Sequence, residues 1–320
     1  MRRLLAVIGV MVVLMGHAQA RPLRLAVSAS PLTLPIVVAH GLGYFRDEGV
    51  DVELINCPDG LRCMDLLLSG KAELATTSEL PVMFNSISRK PFVVLTTFVT
   101  AQRHQRILIR AESKGVPSLA GKRIGYSPES SGHYFLDLVL LFQGLDNSDV
   151  QLVPLRPEQA YDMIRSGEID AMALWDPYIA RIHKQLGREV TELPLPNLYT
   201  TTFNLLASKT IEPGSNGAVR ALLRALDRAC QQIERDPDYA RSLMSKRYGL
   251  SPDLVAQLFP NYRFRLSMNQ SLIRTMSDQV RWAKREGVVP ALAVVPDFYE
   301  VLETAPLRAV NPKAVNVSPP

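Results

Sequence analysis

The chain writes one design twice, with Gly70 and Gly167 standing 97 positions apart. In the first copy an apolar stretch, Leu66-Leu67-Leu68, runs into Ser69-Gly70, then into a short strand-like segment and the polar residues Thr76-Thr77-Ser78-Glu79 ahead of Pro81. In the second, an amphipathic segment ends at Ser166-Gly167, the apolar run Ile169–Leu174 follows, and the chain empties into Trp175-Asp176-Pro177-Tyr178. A glycine just past a periodic segment stops a helix, and a short apolar run after it reads as a buried strand. In open α/β sheets, ligands bind beyond the carboxyl ends of strands. Two such ends in two related halves predict an α/β protein of two lobes with a ligand between them. A Ser-Gly connection is common in α/β chains, so the rest of the sequence has to carry the case.

At the amino terminus, Arg2-Arg3, an apolar stretch from Leu4 to Met15, and Ala18-Gln19-Ala20 match the three regions of a secretory signal, with cleavage expected after Ala20. The apolar stretch falls short of the roughly 18 residues a membrane span needs. Without Arg2 and Arg3 the formal charge drops from +5 to +3. That is too small, and its basic residues too dispersed, to argue for a nucleic-acid partner.

Leu23–Val27 reads as a strand, Ser28-Ala29-Ser30-Pro31 as a turn, Leu34–His40 as a helix and Val50–Ile55 as a second strand, a βαβ unit with two parallel strands. The segment Gly43-Tyr44-Phe45-Arg46-Asp47-Glu48-Gly49-Val50-Asp51-Val52-Glu53-Leu54 resembles the opening of periplasmic substrate-binding proteins of nitrate, sulfonate, taurine and pyrimidine-precursor ABC importers. Leu119-Ala120-Gly121-Lys122 resembles that family's entry into its second lobe, and Gly167–Tyr178 is the most family-like run of all. The resemblance extends from Leu23 to about Leu302. It implies a two-lobe periplasmic binding protein fold (type II), with the lobes joined by two crossover strands. It also implies a small-molecule ligand and a membrane permease and an ATPase as partners; a monomer without cofactor is expected, and no His or Cys stands at the spacing a metal site needs.

On this reading residues 21–104 begin lobe 1, 105–200 form lobe 2, 201–308 return to lobe 1, and 309–320 are a loose tail. Ile107–Ile109 is expected as a turn into lobe 2, and Ser267–Glu286 as the last of four carboxyl-terminal helices. Cys57 and Cys63 flank a turn between a strand exit and a helix start, close enough to bridge in an oxidising compartment, which leaves Cys230 as a buried free thiol. The ligand set expected at the cleft is Ser28, Ser30, Thr76, Ser78, Glu79, Ser130, Ser131, His133, Trp175, Asp176, Tyr178 and Asn204.

Each of these has a plainer role to set beside the binding one. Serines ahead of a helix cap its first N–H groups, and the same groups can hold an anion. A lone tryptophan is often core, and Asn204 among apolar neighbours needs hydrogen-bond partners if buried. Ligand charge stays open as well. The helix start at Ser130-Ser131 suits an anion, whereas Glu79, Glu129 and Asp176 suit an amine or another hydrogen-bond donor. The competing class is an enzyme on the same scaffold, a pyrimidine-precursor synthase or dehydratase, and a ligand-sensing module is a third. The sequence has no cysteine cluster, no HExxH pattern and no phosphate-cradling glycine loop to support the enzyme.

Overall fold

The computed structural model describes residues 21–111, 118–209 and 216–318. The signal segment expected at Met1–Ala20 lies outside them. The chain opens with β1 (Leu23–Ser28), α1 (Leu34–Gly41), α2 (Tyr44–Asp47), β2 (Val52–Cys57), α3 (Gly60–Leu68), β3 (Leu74–Ser78), α4 (Glu79–Ile87) and β4 (Phe92–Gln102). It then passes into β5 (Gln105–Arg110), β6 (Arg123–Tyr126), α5 (Ser131–Phe142), β7 (Gln151–Pro154), α6 (Ala160–Ser166), β8 (Ala171–Trp175), α7 (Tyr178–Leu186) and β9 (Val190–Glu192). It returns as β10 (Thr200–Ser208), α8 (Asn216–Arg235), α9 (Pro237–Tyr248), α10 (Pro252–Leu258), β11 (Tyr262–Asn269), α11 (Gln270–Arg285), α12 (Thr304–Val310) and β12 (Val315–Asn316).

These strands form two sheets, one ordered β12-β11-β4-β10-β3-β1-β2 and the other β7-β6-β8-β5-β9. The repeat seen in the sequence is physical. β3 lies between a parallel neighbour, β1, and an antiparallel one, β10, and β8 lies between parallel β6 and antiparallel β5. Gly70 and Gly167 both take left-handed backbone, φ 70° and 80°, where a side chain would be strained. Three residues beyond each glycine a carboxylate clasps the arginine at the start of the parallel neighbour. Glu73 accepts from the Arg24 backbone N–H at 2.9 Å, and Asp170 from that of Arg123 at 3.0 Å. Both carboxylates are held below their ordinary range, chiefly by the guanidinium hydrogen bond.

β8 is buried along its whole length because its sheet is covered on both faces. Ala171 and Ala173 belong to one apolar cluster, and Met172 and Leu174 to another. This is why the run reads as continuously apolar rather than alternating. The two sheets are joined by two connections, Arg103-His104 between β4 and β5 and residues 193–199 between β9 and β10.

Three expectations are corrected. Ile107–Ile109 is the middle of strand β5, antiparallel to β8, because its apolar side chains fill both faces of the second sheet. Ser267–Asn269 belongs to β11, so the last long helix starts at Gln270. The tail is ordered in its described part. α12 runs to Val310, Ala314 is buried, and β12 pairs in parallel with β11 at Met268↔Val315 and Asn269↔Asn316, covering an edge that would otherwise stand open.

Cys57 and Cys63 are bridged, with their Cα atoms 5.7 Å apart, and Cys230 is a buried free thiol. A loop this short gives a chain-entropy stabilisation of about 2 kcal/mol. Reduction should therefore lower the melting temperature without abolishing the fold. The unreduced, denatured protein should titrate one thiol; three would show that the bridge does not form.

Candidate functional site

The carboxyl ends of the central strands of both sheets meet at a cleft. Lobe 1 supplies Ser28 and Ser30 from the exit of β1, Asp59, Gly60 and Leu61 from the start of α3, Thr77 and Ser78 from β3, Pro81, and Thr201 and Phe203 from β10. Lobe 2 supplies Ser130, Ser131 and Trp175, and His104 lies on the first connection. The space between these atoms, open mouth included, is about 410 Å³.

Local chemistry explains the walls. Ser30 accepts from the Leu32 N–H at 3.3 Å, and Thr33 donates its hydroxyl to the Ser30 carbonyl at 2.8 Å, so the chain leaving β1 is a fixed turn. Asp59 caps α3 by accepting from the Arg62 N–H at 2.8 Å. Gly60 is required by close approach, since a Cβ there would sit 2.6 Å from Thr77 Oγ1. The start of α5 departs from the capping expectation. Ser130 donates its hydroxyl to the Ser127 carbonyl at 2.7 Å and makes no side-chain cap, while Ser131 Oγ accepts from Gln105 Nε2 at 2.8 Å. Gln105 Oε1 in turn accepts from the Thr201 hydroxyl at 2.7 Å, so one side chain links both lobes at the floor of the cleft.

Of the twelve side chains expected at the site, Ser28, Ser30, Ser78, Ser130, Ser131 and Trp175 line the cleft. The other six stand behind it or beside it. Thr76 is fully buried and accepts from the Ser28 N–H at 3.1 Å. Asn204 donates to Thr202 Oγ1 at 3.2 Å and accepts from the Thr97 hydroxyl at 2.6 Å. Glu79 accepts from the Thr202 N–H and hydroxyl, both at 2.8 Å, and Asp176 is buried against Arg106. Glu129 is exposed, so the three carboxylates expected at the cleft are absent from its wall. His133 packs on Tyr126 and Trp282, with ring centroids 4.6 and 4.9 Å away, and burial lowers its pKa to about 4. Tyr178 donates to Glu158 at 2.8 Å and stands 3.4 Å from the Pro58 carbonyl on the opposite lobe.

Sequence reasoning missed Asp59, Gly60, Leu61, Thr77, Pro81, His104, Thr201 and Phe203. The rule that nominated Ser130, a capping residue between a strand end and a helix, applies equally to Asp59, in the turn between the cysteines. His104 and Thr201 lie on and beside the lobe connections, where only topology reveals them.

Electrostatically the cleft is simple. Burial, helped by the Arg106 charge, drives the pKa of His104 down to about 3, so its ring is neutral at pH 7. Asp59 is then the one charged side chain in the lining, and desolvation raises its pKa. Among the described residues no group of three or more His, Cys, Asp and Glu side chains could hold a metal ion.

Away from the cleft the lobes touch along a seam. Arg285 pairs with Asp137 at 2.9 Å, Asn147 donates to Glu286 at 2.8 Å, and Trp282 packs on Tyr134 with centroids 5.2 Å apart. Trp282, on α11, is thus a seam residue.

The geometry has close counterparts among known proteins. A protein of Escherichia coli (strain K12) named for binding aliphatic sulfonates is 24% identical over 244 residues, 75% of this chain and 76% of that one. A 4-amino-5-hydroxymethyl-2-methylpyrimidine phosphate synthase of Uromyces fabae is 30% identical over 129 residues, 39% of this chain and 37% of that one. The alkanesulfonate-binding protein SsuA from Xanthomonas axonopodis pv. citri, solved bound to MOPS, superposes with a TM-score of 0.74 at 19% identity, over 89% of this chain and 98% of that one. The fold is therefore that of periplasmic binding proteins. The NMT1/THI5 like family matches residues 30–240, a span that holds both copies of the repeated strand end and most of the cleft, and the chain belongs to that family.

Proposed function

We propose that the protein is an extracytoplasmic solute-binding protein that captures a small polar organic molecule between its lobes and delivers it to the permease and ATPase of an ABC importer. The observation that carries this reading is the cleft itself. Strand ends and helix starts of two lobes face each other, and among the described residues the lobes are joined by the Arg103-His104 and 193–199 connections, by seam contacts and by single side-chain bridges such as Gln105 to Thr201. Neither wall encloses a ligand alone, so binding favours the closed arrangement by differential contact with both walls. A disulfide suits an oxidising, periplasmic compartment.

The enzyme reading finds little support in the lining. Two of the three cysteines are bridged, and Cys230 is buried with its thiol pushed well above its ordinary pKa. His104 is neutral with its Nδ1 3.3 Å from the Tyr262 hydroxyl, so it is poorly placed to shuttle protons.

Small-angle scattering should show a more compact particle once solute is bound. Trp175 fluorescence should change too, and so should that of Trp282, read separately in Trp282→Phe and Trp175→Phe, because one ring lines the cleft and the other the seam. A bound solute that moved neither signal would remove the clamp. A solute chemically altered after long incubation would promote the enzyme.

A further inference from the structure

We infer that the lobe 1 wall of the cleft is a subsite for a cationic nitrogen group, an ammonium or amidinium, carried by the solute, with Asp59 as its counterion and the Ser28 and Thr77 hydroxyls as further acceptors. The inference rests on the solute-binding reading and specifies it.

Two buried hydroxyls carry it. Ser28 Oγ and Thr77 Oγ1 belong to residues 2% and 0% exposed, both residues line the cleft, and neither atom has a hydrogen-bond partner among the described residues. Buried polar atoms are rarely left so, and each costs free energy until a partner arrives. Both lie at one end of the cleft. Ser28 pairs with Cys57 in the β1–β2 register, two residues from Asp59, and Thr77 Oγ1 is where a Cβ on Gly60 would collide.

Charge decides which group fits. Asp59 is the only charged side chain in the lining, no Lys or Arg joins it, and His104, elsewhere in the lining, is neutral. Its Oδ1 holds the Arg62 N–H, but the Arg62 guanidinium turns outward to Asp65 at 3.1 Å. An anion placed here would face a carboxylate, and the Arg62 charge acting on that carboxylate is outweighed by the charge of Glu158. An ammonium brings three donors to meet one carboxylate and two hydroxyls, and charge-assisted bonds of this kind are the strong ones. Trp175 and Phe203 add aromatic walls, whose faces also attract cations.

The test uses a matched set of probes, 3-aminopropanesulfonate, propanesulfonate and propylammonium, titrated by calorimetry into the mature wild type and Asp59→Asn. Asparagine still caps α3, so folding should hold, which melting curves check. The mass retained in native spectra of protein purified without refolding is read alongside. Wild type should bind 3-aminopropanesulfonate about 10- to 100-fold tighter than propanesulfonate, and the ratio should fall to near one in Asp59→Asn. Equal affinities in the wild type, an unchanged ratio in the variant, or a retained solute without basic nitrogen would overturn the subsite while leaving solute capture standing. No retained mass and no heat from any probe would remove both readings.

Discussion

Arg106→Met should lower the free energy of unfolding by about 3–5 kcal/mol, the usual cost of stranding one member of a buried ion pair. Arg106 lies on β5 with its side chain 11% exposed and pairs with Asp176, whose side chain is 0% exposed, just past the end of β8. It also donates to Glu192 at 2.9 Å, and Glu192 is tied to Arg103 at the first lobe connection. Asp176 has one further donor, the Ala180 N–H at 3.2 Å, and burial already raises its pKa against the pull of Arg106. With the guanidinium gone, the carboxylate must stay ionised in a desolvated site or take up a proton. Adding Asp176→Asn should recover much of the loss, because the stranded charge and not the lost arginine packing carries most of the cost. Urea denaturation of the two variants measures this. The deficit of the single variant should also shrink as pH falls and Asp176 protonates. A loss under about 1 kcal/mol, or no recovery in the double variant, would show that the pair is solvated enough to be dispensable.

That pair illustrates what was legible in the sequence and what was not. Strand ends were legible because Ser-Gly followed by a buried run leaves a strong local signature, and the repeat placed β3 and β8 in equivalent positions without any structure. Side-chain direction was not. Asp176 follows Trp175 directly, yet Trp175 faces the cleft while Asp176 turns into lobe 2 to meet an arginine 70 residues away. The family-like opening Gly43–Leu54 proves to be a packing device. Gly43 and Gly49 take positive φ, Phe45 is buried, the Arg228 guanidinium lies 4.2 Å from the centroid of Tyr44, and Asp47 and Glu48 pair with arginines of α8. β11 was missed although Tyr262-Arg263-Phe264-Arg265-Leu266 alternates buried and exposed, the period of a strand with one wet face. The helical pattern on both sides masked it. The tail was missed because two residues on a sheet edge are too few to leave a periodic trace.

One part of the pH dependence of stability should turn on Glu79. Burial moves this carboxyl from 4.5 to about 7, although the Thr202 N–H and hydroxyl and Gln279 Nε2, 3.1 Å away, all favour its ionised form. Between those two values the folded protein keeps a proton that the unfolded chain has lost, so stability falls as pH rises through the window and levels off above 7. At about 1.4 kcal/mol per pH unit this amounts to roughly 3 kcal/mol between pH 4.5 and pH 7. Glu73 and Asp170 work in the opposite sense. Their arginine partners hold them below the ordinary carboxylate range, so their contribution is lost only as pH drops through that low region. Buried His104 and His133, held neutral with pKa values of about 3 and about 4, add stability as pH rises towards the ordinary histidine value near 6.5, and so offset the Glu79 decline below that pH. Glu79→Gln should remove the Glu79 share of this dependence and leave the histidine share in place. The new amide oxygen can still accept from Thr202, and its N–H₂ can donate to Gln279 Oε1, a buried atom without a partner, once the Gln279 amide turns over. The stability difference between Glu79→Gln and the wild type, read from denaturant curves at pH 5, 6, 7 and 8, should therefore move in the variant's favour by about 2.5 kcal/mol as pH rises, and parallel behaviour of the two proteins would refute the assignment. The consequence reaches the clamp, because Gln279 also stands 3.4 Å from the Tyr199 hydroxyl at the end of the second lobe connection and Thr202 lies in the first part of β10, the strand that starts at Thr200 and re-enters lobe 1. Ionising Glu79 loads charge into the anchor of that connection, so solute affinity in the wild type should drift between pH 6 and pH 8 and stay level in Glu79→Gln.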